Sequence, residues 1–386
     1  MEFDTATNDT LLDDNMYLKN NKYSLIGEMA YSIKFGLNTL SLGYKTTLSN
    51  SDYTINNFLS GGENYTYKSV NNSHYVYAEY EGTLKNLMYR LGLGGTLVNN
   101  SNDDTKYSKC EFTPQAVLSY QINQKQCVQL TLESSPIIPT ISQLSNNVEQ
   151  ITTGLLRMGN PYLKSGNNYT TISKYSYNND LLDFDLAGLT SYDYAPINIY
   201  YKEVMLNGNN YIASTTENAK SFFQYGGFYS FSLRPFKSEL LVIKSYGIAA
   251  RQRLSSPIIG KYSHWYIPIY LSLDMRFHNW GMTYNGNIVS DQIDGAYLRD
   301  DKNQNNLIMF YQKKSFRLTA GCYWLFTKSK YYNKTVPNNI LYNNEHTHIN
   351  DNRSMVLVGF SWNFSIGKNM KIDKKFQNKD TDKGTF

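Results

Sequence analysis

From Trp265 to Phe277 the odd positions read Trp265, Ile267, Ile269, Leu271, Leu273, Met275 and Phe277, while Tyr266, Pro268, Tyr270, Ser272, Asp274 and Arg276 fall between them. A period of two puts successive side chains on opposite sides of an extended chain, so this run predicts a strand with one greasy and one polar face. As a helix the same residues would scatter their apolar set around the whole circumference.

The pattern recurs along the chain. Phe112, Pro114, Ala116, Leu118, Tyr120 and Ile122 oppose Thr113, Gln115, Ser119 and Gln121, with Val117 the exception. Val128, Leu130 and Leu132 oppose Gln129, Thr131 and Glu133, and Val76, Ala78, Tyr80 and Leu84 oppose Tyr75, Tyr77, Glu79 and Glu81. Late in the chain Phe316, Leu318, Ala320, Cys322, Trp324 and Phe326 oppose Arg317, Thr319 and Thr327. The last run sets Val356, Val358, Phe360, Trp362, Phe364 and Ile366 against Ser361, Asn363 and Ser365. Soluble sandwiches and propellers also alternate, but their strands usually stop at about 5–6 residues. Several of these are about twice as long, and aromatic residues stand near the ends of the apolar faces (Trp265 and Phe277, Phe112 and Tyr120, Phe316 and Phe326), as interface girdles require. The reading is therefore all-β, an antiparallel transmembrane β-barrel.

Composition agrees. The 386 residues include 35 Tyr, 18 Phe and 4 Trp, with only 18% charged, which is neither a disordered chain nor a coiled coil. No stretch reaches about 18 uncharged apolar residues, the length of a membrane helix. Three cysteines, Cys110, Cys127 and Cys322, make no disulfide framework. A net charge of +5 is too dilute to point to a nucleic-acid partner.

Connections alternate in length. Short ones are expected near 35–38, 85–87, 123–125, 178–180, 234–238, 278–279 and 313–315, and long ones over about 50–72, 99–110, 135–168, 195–220, 251–262, 291–305 and 329–353. Outer-membrane barrels have short periplasmic turns and long outer loops, so the two sets fall on opposite sides of the membrane. Together they join about fifteen strands, whereas single-chain bacterial barrels have even numbers. The first strand must descend from outside. Residues 1–20 are then expected to be an outer-loop remnant, 21–367 the barrel and 368–386 a periplasmic tail, with part of a larger barrel missing; a miscounted strand is the competing explanation. MEFDTATNDTLLDD has neither the basic nor the apolar region of an export signal.

The segment Leu155 to Asn179 carries a resemblance. Its Gly159, Asn160, Pro161 and Leu163 match a "GNPxLxPE" loop followed by a strand, as found in the C-terminal β-barrel of TonB-dependent outer-membrane receptors of the Bacteroidota type. His74–Thr96 is similar to that family's hairpin, though Gly95 stands where Arg is usual. FTPQAVLSYQIN and QCVQLTLESSPIIPTISQL resemble its following strand pair, with Ile138 before Pro139 in place of Arg, and Ser165-Gly166 replaces Pro-Glu. VGFSWNFSIGK and the Asp-containing end look like its last strand and tail. The resemblance covers about residues 20–386 and implies a barrel of about 22 strands, of which this would be about fifteen. It implies a receptor for TonB-energised nutrient uptake, placed in outer-membrane lipid by barrel-assembly machinery. Its plug domain and TonB-contact segment are absent from this sequence, a surface lipoprotein is a further candidate partner, and no cofactor is implied. A truncated, inactive copy is one form of this reading. A passive porin of about fourteen or sixteen strands and a soluble surface-adhesive β protein are the alternatives.

Polar faces of the strands supply the candidate lumen residues: Glu79, Glu81, Arg90, Glu133, Asp183, Asp185, Asp274 and Arg276. They are read either as lining water and pairing with one another or as contacting ligand or plug. His346 and His348, beside Glu345, are two loop histidines, short of the three or four ligands a metal centre needs. Cys127 is expected to face inward and Cys322 lipid. Gly61-Gly62 and Gly94-Gly95 lack the strand–GxxxxGK–helix setting of a phosphate loop. Asp13-Asp14 and Asp103-Asp104 read as solvated loops, and no catalytic or metal site is expected. Asn71, Asn72, Tyr201, Tyr211, Tyr331 and Tyr332 are expected in outer loops, where they would either stack on sugars or peptides or serve as turn formers.

Overall fold

The computed structural model describes residues 2–3, 10–12, 16–57, 64–102, 105–145, 148–300 and 302–364. After the short pair β1 (Glu2–Phe3) and β2 (Thr10–Leu12) come β3 (Met16–Phe35), β4 (Asn38–Asn57), β5 (Asn64–Leu84), β6 (Leu87–Asn102), β7 (Lys106–Asn123) and β8 (Gln126–Ile137). Then follow β9 (Val148–Thr152), β10 (Leu155–Met158), β11 (Gly166–Asn178), β12 (Leu182–Tyr194), β13 (Ile197–Leu206), β14 (Asn209–Asn218), β15 (Ser221–Leu233) and β16 (Leu241–Ser256). The rest are β17 (Gly260–Tyr266), β18 (Ile269–Phe277), β19 (Trp280–Ile288), β20 (Gln292–Asp294), β21 (Tyr297–Arg299), β22 (Asn305–Lys313), β23 (Phe316–Tyr323), β24 (Ser329–Thr335), β25 (Asn344–Ile349) and β26 (Met355–Trp362).

Fifteen of these form one antiparallel wall in the order β3-β4-β5-β6-β7-β8-β11-β12-β15-β16-β18-β19-β22-β23-β26. β17 belongs to the same wall. It shares the register of β18 against β16, since Ala250 stands opposite Tyr266 and Gly247 opposite Ile269. The run from Trp265 is thus a single stave interrupted at Ile267–Pro268, where proline has no N–H for the ladder. Ser290 Oγ accepts the Ile267 N–H at 2.9 Å in place of a strand partner.

Register keeps the two faces separate across the wall. Tyr31 lies opposite Leu42, Leu42 opposite Ala78, Ala78 opposite Leu93 and Leu93 opposite Pro114. At the far side Ile243 faces Leu273, Leu273 faces Tyr284, Tyr284 faces Leu307, Leu307 faces Cys322 and Cys322 faces Val356. This apolar face is bare: Met29 is 70% exposed, Leu93 61%, Phe112 55% and Val358 76%. A continuous uncovered apolar surface of this extent belongs in lipid, not water. Cys322 shares it, whereas Cys127 shares the opposite face with Ser119, whose hydroxyl lies 3.2 Å from its sulfur.

Strand length is uneven. β3, β4 and β5 have 20, 20 and 21 residues, about twice the 9–11 that a tilted spanning strand needs. β23 and β26 have 8 each, just under that range. The first staves therefore continue well past the bilayer on the side away from the short turns, and several expected boundaries move. Residues 16–20 are strand and not loop remnant, because Met16 pairs with Asn57 and Asn20 with Tyr53. Asn71 and Asn72 are likewise in β5, opposite Ser49 and Leu48. The expected tail at 368–386 and the barrel end at 367 lie outside the described residues, as do Ile366, Asp13-Asp14 and Asp103-Asp104.

Among the described residues, β3 ladders only with β4 and β26 only with β23, so the wall is an open sheet with two edges. The two-face assignment predicts opposite outcomes at adjacent positions. Leu271→Arg, on the lipid face, is expected to cost about 2–4 kcal/mol and to deplete the protein from outer membranes of producing cells. Ser272→Arg, on the other face, is expected to leave membrane yield within twofold, as read by immunoblot of membrane fractions.

Candidate functional site

The long connections are not loose loops. β13 and β14 form a hairpin closed by Asn207-Gly208, with Leu206 opposite Asn209 and both turn residues at positive φ, 52° and 82°. Those angles are what a two-residue hairpin turn requires and what Asn-Gly supplies. β10 adds to β14 in parallel and β9 to β10, giving a four-stranded sheet. A second small sheet has the order β20-β21-β24-β25. The two meet around one hydrophobic cluster that includes Tyr200, Leu254, Ile259, Ala296, Tyr297 and Val336, all 7% exposed or less. This cluster of buried apolar side chains thus builds an outer cap above the membrane wall. Tyr201 is part of it at 7% exposure, edge-on to Tyr297 with the two hydroxyls in contact. It is therefore a packing residue and not an exposed stacking platform; Tyr211, Tyr331 and Tyr332 lie on cap strands and stay partly accessible.

The Gly159–Leu163 loop pins this cap to the wall. Gly159 lies so close to the 142–145 turn that a Cβ would stand 2.3 Å from the Ser145 carbonyl oxygen and 2.9 Å from that of Gln143. Asn160 donates its backbone N–H to Gln143 O at 2.6 Å and its Nδ2 to Thr216 O at 3.0 Å, while its Oδ1 accepts the Tyr162 N–H at 3.0 Å. Leu163 is buried, and its N–H bonds to Asn160 O. One residue on, Lys164 N–H donates to Asn218 Oδ1 and Asn218 Nδ2 returns bonds to the Lys164 and Ala195 carbonyls. Ser165 Oγ donates to Glu111 Oε1 at 3.0 Å, and Lys109 Nζ bridges Glu111 Oε1 at 2.5 Å and Ser165 O at 3.0 Å. Its polar groups bond within the loop and to the 142–145 turn, β14 and β7, which makes it a structural clasp.

The eight lumen candidates share the face opposite the lipid face by register, but they do not converge. Glu79 pairs with Arg90 at 2.7 Å, and Glu81 stands opposite Arg90 in the ladder. Asp183 pairs with Arg234 at 2.7 Å, and Asp185 accepts from Ser176 Oγ at 2.5 Å. Asp274 takes Lys244 at 2.7 Å and Thr283 Oγ1 at 2.8 Å; Arg276, two residues on, stands opposite Gly281. These groups lie close to the short turns, so they line the inner rim as separate local pairs. Glu133, opposite Thr170, is higher up and exposed. A cavity of about 500 Å³ beside Glu81 and Arg90 is floored by Thr39, Val117 and Gln129. Among the described residues no three His, Cys, Asp or Glu side chains gather as a metal site.

His346 and His348 occupy strand β25 and not a loop; His346 stands opposite Tyr332 and His348 opposite Lys330. With Asp291 and Asp300 they border a cavity of about 490 Å³. The sequence reading did not join these residues, because the cap strands β20, β21, β24 and β25 are only 3 to 7 residues long, below the length at which alternation is decisive.

The model of the outer membrane protein beta-barrel family matches residues 2–362. Among solved structures the chain is similar to the copper transporter OprC (13% identity, TM-score 0.62, covering 81% of this chain and 52% of that one). It is similar to the siderophore receptor PirA from Pseudomonas aeruginosa (14%, TM-score 0.58, 80% and 54%). The FrpB iron transporter from Neisseria meningitidis, F3-3 variant, is another (10%, TM-score 0.57, 85% and 54%). At these identities the likeness is one of fold, and the chain spans about half the length of each. No curated protein matches the sequence.

The clasp geometry predicts that Gly159→Ala, whose methyl meets backbone carbonyls that cannot swing aside, destabilises the cap. Asn160→Ala, which strands Thr216 O and the Tyr162 N–H, is expected to cost about 1–3 kcal/mol. Both are checked by faster protease nicking within 138–165 on intact cells, with membrane yield unchanged.

Proposed function

Because the chain belongs to the outer membrane protein β-barrel family and resides in the outer membrane, we propose that it forms the C-terminal part of the wall and outer cap of a TonB-dependent nutrient-uptake receptor. In this reading the cap captures the solute and the lumen conducts it, gated by a plug domain that other residues supply. The inner-rim ion pairs Glu79–Arg90, Asp183–Arg234 and Asp274–Lys244 would face that plug. Barrel-assembly machinery would insert the wall, and a surface lipoprotein is a candidate partner at the cap. No catalytic role is assigned to any residue.

The observation that carries the proposal is the pair of wall edges. β3 and β26 are not continued by further ladders among the described residues, and an open sheet edge in hydrocarbon costs several kcal/mol for each unsatisfied backbone group. Solved structures of the same fold are longer, this chain covering only 52–54% of each, which supports closure by additional staves. Refolded alone in detergent, residues 1–386 are expected to give no discrete heat-shifted band and no stepwise ion conductance. A sharp folded band with steady conductance would establish the passive-channel reading instead.

A further inference from the structure

We propose that the β24–β25 hairpin and the segment 289–300 form a binding site for a ring-bearing oxyanion, a carboxylate or phosphate held between Lys330 and Lys334 with its ring laid on Tyr332 and His346. The site deepens the uptake reading by naming the solute chemistry that the cap recognises.

Strand geometry assembles the site. Lys330, Tyr332 and Lys334 alternate on one face of β24 at steps of about 6.6 Å. Directly across the ladder from them stand His348, His346 and Asn344. Opposed strand residues have Cβ atoms about 4.5–5.5 Å apart, so the six side chains form a continuous patch. The Tyr332 and His346 rings are 4.8 Å apart and tilted by 39°, a floor on which a third ring can lie. The cavity above holds about 490 Å³, within the range of small-molecule sites.

Charge sets the ligand's sign. Lys330 lies across from His348 and Lys334 across from Asn344, so neither ammonium group faces a carboxylate in the ladder. Among the described residues neither Lys330 nor Lys334 has an ion-pair partner. Two carboxylates also border the cavity: Asp300 Oδ1 accepts the Tyr332 backbone N–H at 2.5 Å, and Asp291 Oδ2 lies 3.8 Å from His264 Nε2. Burial, then the nearby Asp291 carboxylate, raise the Tyr332 phenol above its ordinary value, so it stays neutral and able to donate. Four residues apart on one strand face, about 13 Å from Cα to Cα, the two flexible lysines can lean toward each other over Tyr332 and meet an oxyanion with their ammonium groups.

The test uses outer-membrane vesicles from cells that make the protein from its own gene. Saturation-transfer NMR titrations compare glucuronate with glucose, and 4-hydroxybenzoate with its methyl ester. The expected result is binding of at least one acid, tenfold or more tighter than its neutral counterpart and weakened by raising the salt from 50 to 500 mM. Lys330→Gln with Lys334→Gln is expected to abolish that preference, and Lys330→Arg with Lys334→Arg to keep it at equal membrane yield. Preference for glucuronate alone assigns a sugar acid, and preference for the benzoate alone an aromatic acid. Equal binding of acid and neutral partner, or an acid preference that survives the double Gln variant, overturns the proposal. Binding without cellular accumulation of the acid would refute the uptake reading and leave the site standing.

Discussion

A polypeptide in hydrocarbon has no water to satisfy its N–H and C=O groups, so each strand of this wall depends on its lateral neighbour. That requirement ties the architecture together. Lateral ladders force an extended chain, an extended chain puts side chains alternately on two faces, and each hydrogen-bonded partner inherits the parity of the last. A slip of one residue would turn a stave's apolar set toward water. Among the described wall ladders the register shifts once, between Gln121 and Asn123 beside the β7–β8 turn, where a change of parity affects no spanning residue. The same logic explains the break at Pro268. A missing donor in mid-stave is tolerated because the ladder resumes in the same register on both sides.

The wall has no core of its own, since one face meets lipid and the other the lumen. Large apolar side chains are taken out of both where the long connections fold back on each other and onto wall residues such as Tyr67 and Leu254. There they cluster, Tyr200 and Tyr297 from two different loops at 0% and 7% exposure. Holding such a cap in place needs short, exact backbone contacts more than bulk, which is why Gly159 and Asn160 matter at the junction. A glycine lets two turns approach within van der Waals reach of each other's carbonyls, and one asparagine donates across the junction to Thr216 O while its side-chain oxygen closes its own loop at the Tyr162 N–H.

The wall was legible because its signal is long and redundant: alternation from Trp265, Phe112 or Phe316 persists over enough residues to exclude a helix, and the short turns between runs fix direction. The cap was less so. Asn207-Gly208 between Ile197–Leu206 and Tyr211 is a strong hairpin signal, and it was available in the sequence inside a segment read only as a long connection. Asp294-Gly295, with Gly295 at φ 59°, marks the β20–β21 turn, but β24 and β25 carry no comparable mark, and the packing of these strands centres on Ala296 and Val336. Tyr201 could not be told from Tyr211 by composition, because burial of one and exposure of the other follows from which loop lands on which. The lumen carboxylates were legible as to face, since parity decides that, but their ion pairs depend on cross-strand stagger that a single sequence does not state.

Parity also separates duties within the cap. On β24, Ser329 and Thr335 are buried and hold the strand in place, while Lys330, Tyr332 and Lys334 present the other face. Because adjacent residues point in opposite directions, a charged side chain can be set next to a buried one without either paying for the other's environment. A wall strand has the same freedom only on its lumen side, where Glu79, Asp183 and Asp274 already have their cations. Cap hairpins are thus the part of this fold where unneutralised charge and aromatic surface can stand together above the membrane at little cost to the ladder beneath, and that is where solute chemistry has room to be specified.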